Sequence, residues 1–256
     1  MISQTKIKRI RSLHQKKYRD QYRQFIIEGV RSVSSAIEMC AQIDLIIYTQ
    51  DFTKKNPKLM TDIGPIPSAV ISSQEIKALS PSTSPSGILA VCNIPVFESL
   101  NKNKNVIYLD RISDPGNLGT ILRTAIWFGI DQIGLSPGCI DPFNPKVVRS
   151  AMGAHFNLSW MDELSLSNFE GYVLVGADHR GEPITSFDSI PEKWALIMGN
   201  ESHGFSVDVQ SSLNKLVAIP KIGKGESLNV GVSIGILLYL SLIHISEPTR
   251  PRLISY

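Results

Sequence analysis

The chain has 256 residues, of which 43% are hydrophobic and 19% charged, a balance that excludes a disordered or fibrous protein and predicts one or two folded domains. The net charge of +3 is small but unevenly placed: Lys6, Lys8, Arg9, Arg11, Lys16, Lys17, Arg19 and Arg23 face a single acid, Asp20, within the first 24 residues. That block suits phosphate contact, and a solvated basic helix carries the same pattern. Cys40, Cys92 and Cys139 share no metal-like spacing, and their odd number argues against a disulfide framework. They are read as small buried hydrophobes in a reducing compartment, with no metal site. No apolar core segment stands at the N-terminus, and the apolar run over 234–245 is short and interrupted. Neither a secretory leader nor a membrane span is expected, and the predicted location is cytoplasmic.

In chain order, the basic N-terminal helix runs into FIIEGVRSVSSAIEM, where Val30, Val33, Ile37 and Cys40 recur at helical spacing. An apolar run over 45–48 predicts a strand. Ser72 and Glu75 predict a capping box ahead of Ile76 and Leu79, and GILAVCNI, over 87–94, predicts a second strand. The stretch from Pro95 to Asn105 is polar and lysine-bearing, and residues 98–105 are read as a linker. Strands and helices then alternate: strand 106–109, helix 117–128, strand 132–135, a helix from Pro145, strands 172–177 and 195–198, and a strand ending at Ile219. This alternation predicts an α/β fold with a mainly parallel sheet covered by helices on both faces.

Three stretches carry candidate chemistry. In VIYLDRISDPGNLGTILRTAIWFGIDQIGLS, from Val106, Pro115 and Gly116 predict a turn, Gly116 taking an awkward backbone angle. Asn117 starts a helix there, and Arg123 follows under two turns later. Alone, Asn117 reads as a cap and Arg123 as a surface ion pair. In LIMGNESHGFS, from Leu196, a strand delivers Gly199, Asn200 and Glu201 onto a loop. In IPKIGKGESLNVGVSIGILL, from Ile219, Gly223 and Gly225 let a loop fold back, and Ser227 and Asn229 open a helix with Ser227 the favoured N-cap. Small residues at Gly231, Ser233 and Gly235 predict close approach of another backbone.

In order and spacing, these three stretches resemble the signature blocks of the SpoU-type ribose methyltransferases, of the SPOUT superfamily. The resemblance implies a deep trefoil knot in the C-terminal domain. It also implies a homodimer, and S-adenosylmethionine clasped by loops near Gly199, Ile219 and Leu228. The matching catalytic residues are Asn117, Arg123, Glu201, Ser227 and Asn229. His203, in the same loop as Glu201, matches no required position. The Glu28–Gly29 turn and the SPSGILAV strand look like the ribosomal-protein-like RNA-binding domain that precedes many such enzymes. The expected division is residues 1–97 for RNA substrate binding, 98–105 as linker and 106–240 as the knotted methyltransferase domain. Lys146 and Arg149, within DPFNPKVVRSAMGAHF, are further candidates for RNA phosphates.

Residues 241–256 are set apart, because LSLIHISEPTRPRLISY, from Leu240, lacks a helical pattern and resembles the translation of a sequencing-library adapter. That stretch is read as a non-native tail. The expected activity is methyl transfer to a ribose 2′-hydroxyl of structured RNA, with rRNA ahead of tRNA. A catalytically silent RNA-binding protein of the same fold is the alternative.

Overall fold

The structure is a computed structural model that describes residues 2–161, 164–186 and 191–246. It divides into two compact units. One joins the chain through Phe97 with Asp114–Arg123 and Ile140–Leu158; the other holds Glu98–Ser113, Thr124–Cys139 and everything from Ser159. Two segments beyond the linker therefore pack with the first 97 residues, so a cut at the linker is not a cut between cores.

The first unit is built on a four-stranded sheet of β1 (Gln24–Glu28), β2 (Ile43–Thr49), β3 (Ser68–Ile71) and β4 (Ile88–Asn93), in the order β1-β4-β2-β3. β4 runs antiparallel to both β1 and β2, and β3 lies parallel to β2. One core gathers Ile26, Leu45, Ile47 and Leu89 with Ile10 and Leu13 of the N-terminal segment and Ile76 and Leu79 of the Ser73–Leu79 helix. The predicted capping box opens that helix: Ser72 and Glu75 exchange both bonds. Alternate residues of β1 meet a second core, in which Phe25 packs tilted against Phe143 at 4.9 Å and stacks on Phe156 at 6.1 Å. Because both faces are covered, β1 lacks the period-2 pattern that marks a half-exposed strand, and the sequence reading merged it into its helical surroundings.

The basic N-terminus is two helices, Gln4–Ser12 and Lys16–Tyr22, not one. Much of its charge is spent inside the unit. Arg19 is buried against Asp141, Arg9 lies over the Tyr22 ring, and Arg23 lies over the Phe97 ring and donates to the Pro95 carbonyl. Lys6 and Lys16 pair with Asp44 and Asp20. The cysteines also depart from expectation, since Cys92 is buried and Cys139 half-buried but Cys40 is exposed.

The second unit carries a six-stranded, wholly parallel sheet of β5 (Val106–Leu109), β6 (Gln132–Leu135), β7 (Ser159–Trp160), β8 (Val173–Pro183), β9 (Trp194–Met198) and β10 (Lys215–Ala218). The order is β10-β8-β9-β5-β6-β7. β5 and β9 are buried along their whole lengths, as strands covered on both faces must be. From β5 the chain steps outward through β6 and β7, then returns to the other side for β8, β9 and β10. The reversal lies between β5 and β9, and loops at the carboxyl ends of such strands are where open parallel sheets bind ligands.

The last helix, Val230–Ser246, continues past Leu240, so residues 240–246 are helical where the sequence predicted a break. The remainder of the expected tail, from residue 247, lies outside the described residues.

Candidate active site

The Pro115–Trp127 helix starts two residues earlier than predicted. Its cap is Asp114, whose Oδ1 accepts the Asn117 N–H at 2.7 Å and whose carbonyl accepts the Leu118 N–H at 3.0 Å. Asn117 is therefore inside the first turn and is not the cap. Gly116 is helical and needs no left-handed angle; the glycine that matters is Gly119. A Cβ there would stand 1.9 Å from Ser150 Oγ and 2.8 Å from the Ala151 backbone nitrogen. The helix thus rests directly on the Pro145–Ala151 helix, and Ser150 Oγ donates to the Pro115 carbonyl at 3.0 Å. Arg123 is exposed on the same helix and forms no ion pair among the described residues, which removes the surface-pair reading. Lys146 and Arg149, one turn apart, are exposed on the neighbouring helix.

In the second unit, the loops carrying Gly199, Glu201, Ile219, Ser227, Leu228 and Asn229 lie beyond the carboxyl ends of β9 and β10. After β9 the chain makes a tight hairpin in which Asn200 and Gly204 exchange N–H to carbonyl bonds of 3.0 and 2.9 Å. Gly199 must be glycine, because a Cβ would meet the Gly204 carbonyl carbon at 2.8 Å. Glu201 is exposed at the tip. Asn200 braces the hairpin: its Oδ1 accepts the Ser202 and His203 N–H groups at 3.0 Å, and its Nδ2 donates to the Arg111 carbonyl at 2.7 Å. His203 Nδ1 also lies 3.0 Å from Asn200 Oδ1, a bracing contact at the exposed turn.

The loop after β10 is exposed from Pro220 to Asn229, with Ile222 99% and Leu228 52% accessible, and Ile219 is half-buried. Gly223 and Gly225 take no positive φ and crowd nothing, so the loop does not fold back in the way the glycines suggested. The N-cap of the closing helix is Asn229 and not Ser227. Its Oδ1 accepts the Gly231 and Val232 N–H groups at 2.9 and 3.3 Å. Ser227 remains exposed, two residues before the cap. At Gly235 no backbone comes close: a Cβ there would make ordinary contact with Thr124 Cγ2 at 3.6 Å.

Beneath the hairpin lies a group that the sequence reading passed over. Asp110, 1% exposed at the end of β5, accepts the Ser206 N–H at 2.5 Å and lies 3.3 Å from Arg111 Nε. An acid placed directly after four apolar strand residues was the available signal. Burial pushes the Tyr108 phenol up to about 12, with the Asp110 carboxylate adding to the effect. Burial also raises the Cys139 thiol. Neither group is suited to act as a base near neutral pH. No cluster that could hold a metal ion occurs among the described residues.

The chain thus combines a four-stranded α/β unit with a six-stranded parallel sheet that carries exposed loops beyond the carboxyl ends of its strands. Residues 104–239 match the SpoU rRNA methylase family and residues 4–90 match the MRM3-like substrate binding domain; the chain belongs to the SpoU rRNA methylase family. It is 35% identical to the 23S rRNA (guanosine(2553)-2′-O)-methyltransferase RlmP of Bacillus subtilis, over 91% of this chain and 94% of that one. It is 28% identical to rRNA methyltransferase 3A, mitochondrial, of Danio rerio, over 92% of this chain and 68% of that one. The crystal structure of an AdoMet-bound rRNA methyltransferase from Sinorhizobium meliloti superposes with a TM-score of 0.80 at 27% identity, covering 96% of this chain and 97% of that one.

Proposed function

We propose that this chain transfers a methyl group from S-adenosylmethionine to a ribose 2′-hydroxyl of rRNA. The observation that carries the reading is the set of loops beyond the carboxyl ends of β9 and β10, joined to membership of the SpoU family. The exposed apolar side chains of Ile222 and Leu228 beside Ile219, with the backbone around Gly199, fit an adenosyl group and its methionine arm. When bound, S-adenosylmethionine supplies an electrophilic methyl on a sulfonium.

The residues' own task is to place the 2′-oxygen in line with that carbon and to stabilise the charge that grows on it. Arg123 is assigned to that charge and to an adjacent phosphate. A guanidinium offers two directed N–H donors, and it hardly ever loses its proton, so it does not serve as the base. The proton leaves to solvent or to a phosphate oxygen. Asn117, Glu201, Ser227 and Asn229 complete the polar lining.

RNA contact is assigned to residues 1–97 and chemistry to residues 106–240, a division supported by where the two family matches fall. The enzyme acts as a homodimer. Trp127, Val232 and Tyr239 are exposed apolar side chains on two adjoining helices and fit a self-association face. A knotted C-terminal domain and a cytoplasmic location belong to the same reading.

The test is calorimetric titration of the whole chain with S-adenosylmethionine, followed by labelled methyl transfer to unmodified rRNA and nuclease digestion to locate a 2′-O-methyl nucleotide. Folded protein that binds no S-adenosylmethionine overturns the proposal. Asn229→Ala removes a helix cap worth about 1 kcal/mol. It is expected to lower transfer far beyond what that loss of stability explains.

A further inference from the structure

Arg111 stands in the left-handed region at φ 56°, where a side-chain-bearing residue is disfavoured and persists only if its surroundings hold it there. Four groups do so. Its N–H donates to Ser136 Oγ at 2.9 Å, and its carbonyl accepts from Asn200 Nδ2 at 2.7 Å. Its Nε donates to Asp110 Oδ1 at 3.3 Å and its Nη2 to the Gly204 carbonyl at 3.4 Å. The four partners sit beyond the carboxyl ends of three strands: Asp110 after β5, Ser136 after β6, and Asn200 and Gly204 after β9. At the centre is Asp110, 1% exposed, on whose two oxygens the Ser206 N–H at 2.5 Å and Arg111 Nε at 3.3 Å converge, with Ser136 Oγ, also 3.2 Å from the Pro137 carbonyl, 3.4 Å away.

Only a side chain that accepts and never donates satisfies N–H donors aimed at both of its oxygens. A carboxylate does this at both oxygens, whereas an amide must turn its NH2 toward one of them. The strongest bond goes to Ser206, which closes the far side of the hairpin bearing Gly199 and Glu201.

We propose that Asp110 is a positioning residue of the methyl-transfer site. Its buried carboxylate ties the ends of β5, β6 and β9 together and fixes the Gly199–Ser206 hairpin in the shape that receives the methyl donor. The role rests on the reading above that this hairpin is part of the S-adenosylmethionine site. It touches neither substrate; it acts through Ser206, Arg111 and Asn200.

The experiment compares wild type with Asp110→Asn and Ser136→Ala in the full chain. It measures S-adenosylmethionine affinity by calorimetry, RNA affinity by anisotropy and thermal melting. Asp110→Asn is expected to weaken S-adenosylmethionine binding about tenfold or more and to leave RNA affinity within about twofold, since the basic surface is unaltered. Ser136→Ala removes one arm of the junction without opposing a donor to a donor, so a smaller loss of the same kind is expected. Combined with Asp110→Asn, the two effects should fall short of adding, because both act through one network. Wild-type affinity for S-adenosylmethionine in both variants overturns the positioning role and leaves the site assignment intact. The same holds for a loss that only tracks the unfolded fraction, or one shared equally by RNA binding. Failure of wild type itself to bind S-adenosylmethionine overturns the site assignment, and the positioning role with it.

Discussion

Arg19→Met separates the structural part of the basic N-terminus from the part free to meet RNA. Arg19 has a side chain 3% exposed, and its partner Asp141 is 13% exposed. Nε donates to Asp141 Oδ2 at 2.9 Å, Nη2 donates to the same oxygen, and Nη1 donates to the Leu13 carbonyl at 2.8 Å. Methionine keeps most of the aliphatic stem but removes all of these donors. Asp141 would keep the Phe143 N–H, at 2.9 Å, but lose its charged partner in a site that water barely reaches. Breaking a buried pair from one side costs about 3–5 kcal/mol. At about 2–4 °C per kcal/mol for a chain of this size, the melting temperature should fall by roughly 6–20 °C. Arg19→Met/Asp141→Leu should recover most of that loss, because neither charge is then stranded. RNA binding gives the second readout. Since Arg19 is spent internally, its loss should leave the slope of log affinity against log salt unchanged. Removing exposed Lys8 or Lys17 should lower that slope by about 0.7–0.9 if each meets a phosphate. Calorimetric melting and anisotropy over a salt series make both measurements. A variant melting within about 2 °C of wild type, with a shallower salt slope, would refute the argument and return Arg19 to the RNA surface.

His155 is held neutral at about 4 by burial, partly offset by its bond to the Pro142 carbonyl at 2.7 Å. The unfolded chain takes up that proton first, so stability should fall by about 3 kcal/mol as pH drops from about 6.5 to 4. In urea titrations, His155→Gln should flatten that part of the pH dependence, and an unchanged profile would refute the assignment. Gly119→Ala should destabilise by about 1–3 kcal/mol through overpacking and depress methyl transfer. Adding Ser150→Ala should not rescue it fully, because the Ala151 backbone stays 2.8 Å from the new methyl; full rescue in paired melts would count against that contact. Arg123→Lys keeps the charge but loses the planar pair of donors, and is expected to slow single-turnover methylation by about 10²-fold with S-adenosylmethionine affinity little changed. A near wild-type rate would remove Arg123 from the chemistry.

What the sequence made legible was whatever is encoded within a few consecutive residues. The Ser72–Glu75 capping box, the apolar runs that became β5 and β9, and the helix from Pro145 each depend on local chemistry, and each stands in the structure. What it hid was whatever depends on a partner far along the chain. Arg19 reads as one more cation in a basic run, and only Asp141, 122 residues away, turns it into a buried group. β1 loses its alternation because Phe143 and Phe156 cover one face while Ile10 and Leu13 help to cover the other. The glycines show the same rule most sharply. Gly223, Gly225 and Gly235 stood out because they are close together, yet none is in a tight place. Gly119 and Gly199 are indispensable because Ser150 and Gly204 occupy the space of a side chain. A lone glycine in a helix or at a strand end announces neither fact. The proposed site residues were read from the pattern of three blocks, while the group beneath them gives no such pattern. Asp110 has its charge concealed by burial, and its function depends on donors contributed by Arg111, Ser136 and Ser206. Residues proposed to face the substrates are marked by local pattern, whereas those that hold them in place are marked only by their contacts in the fold.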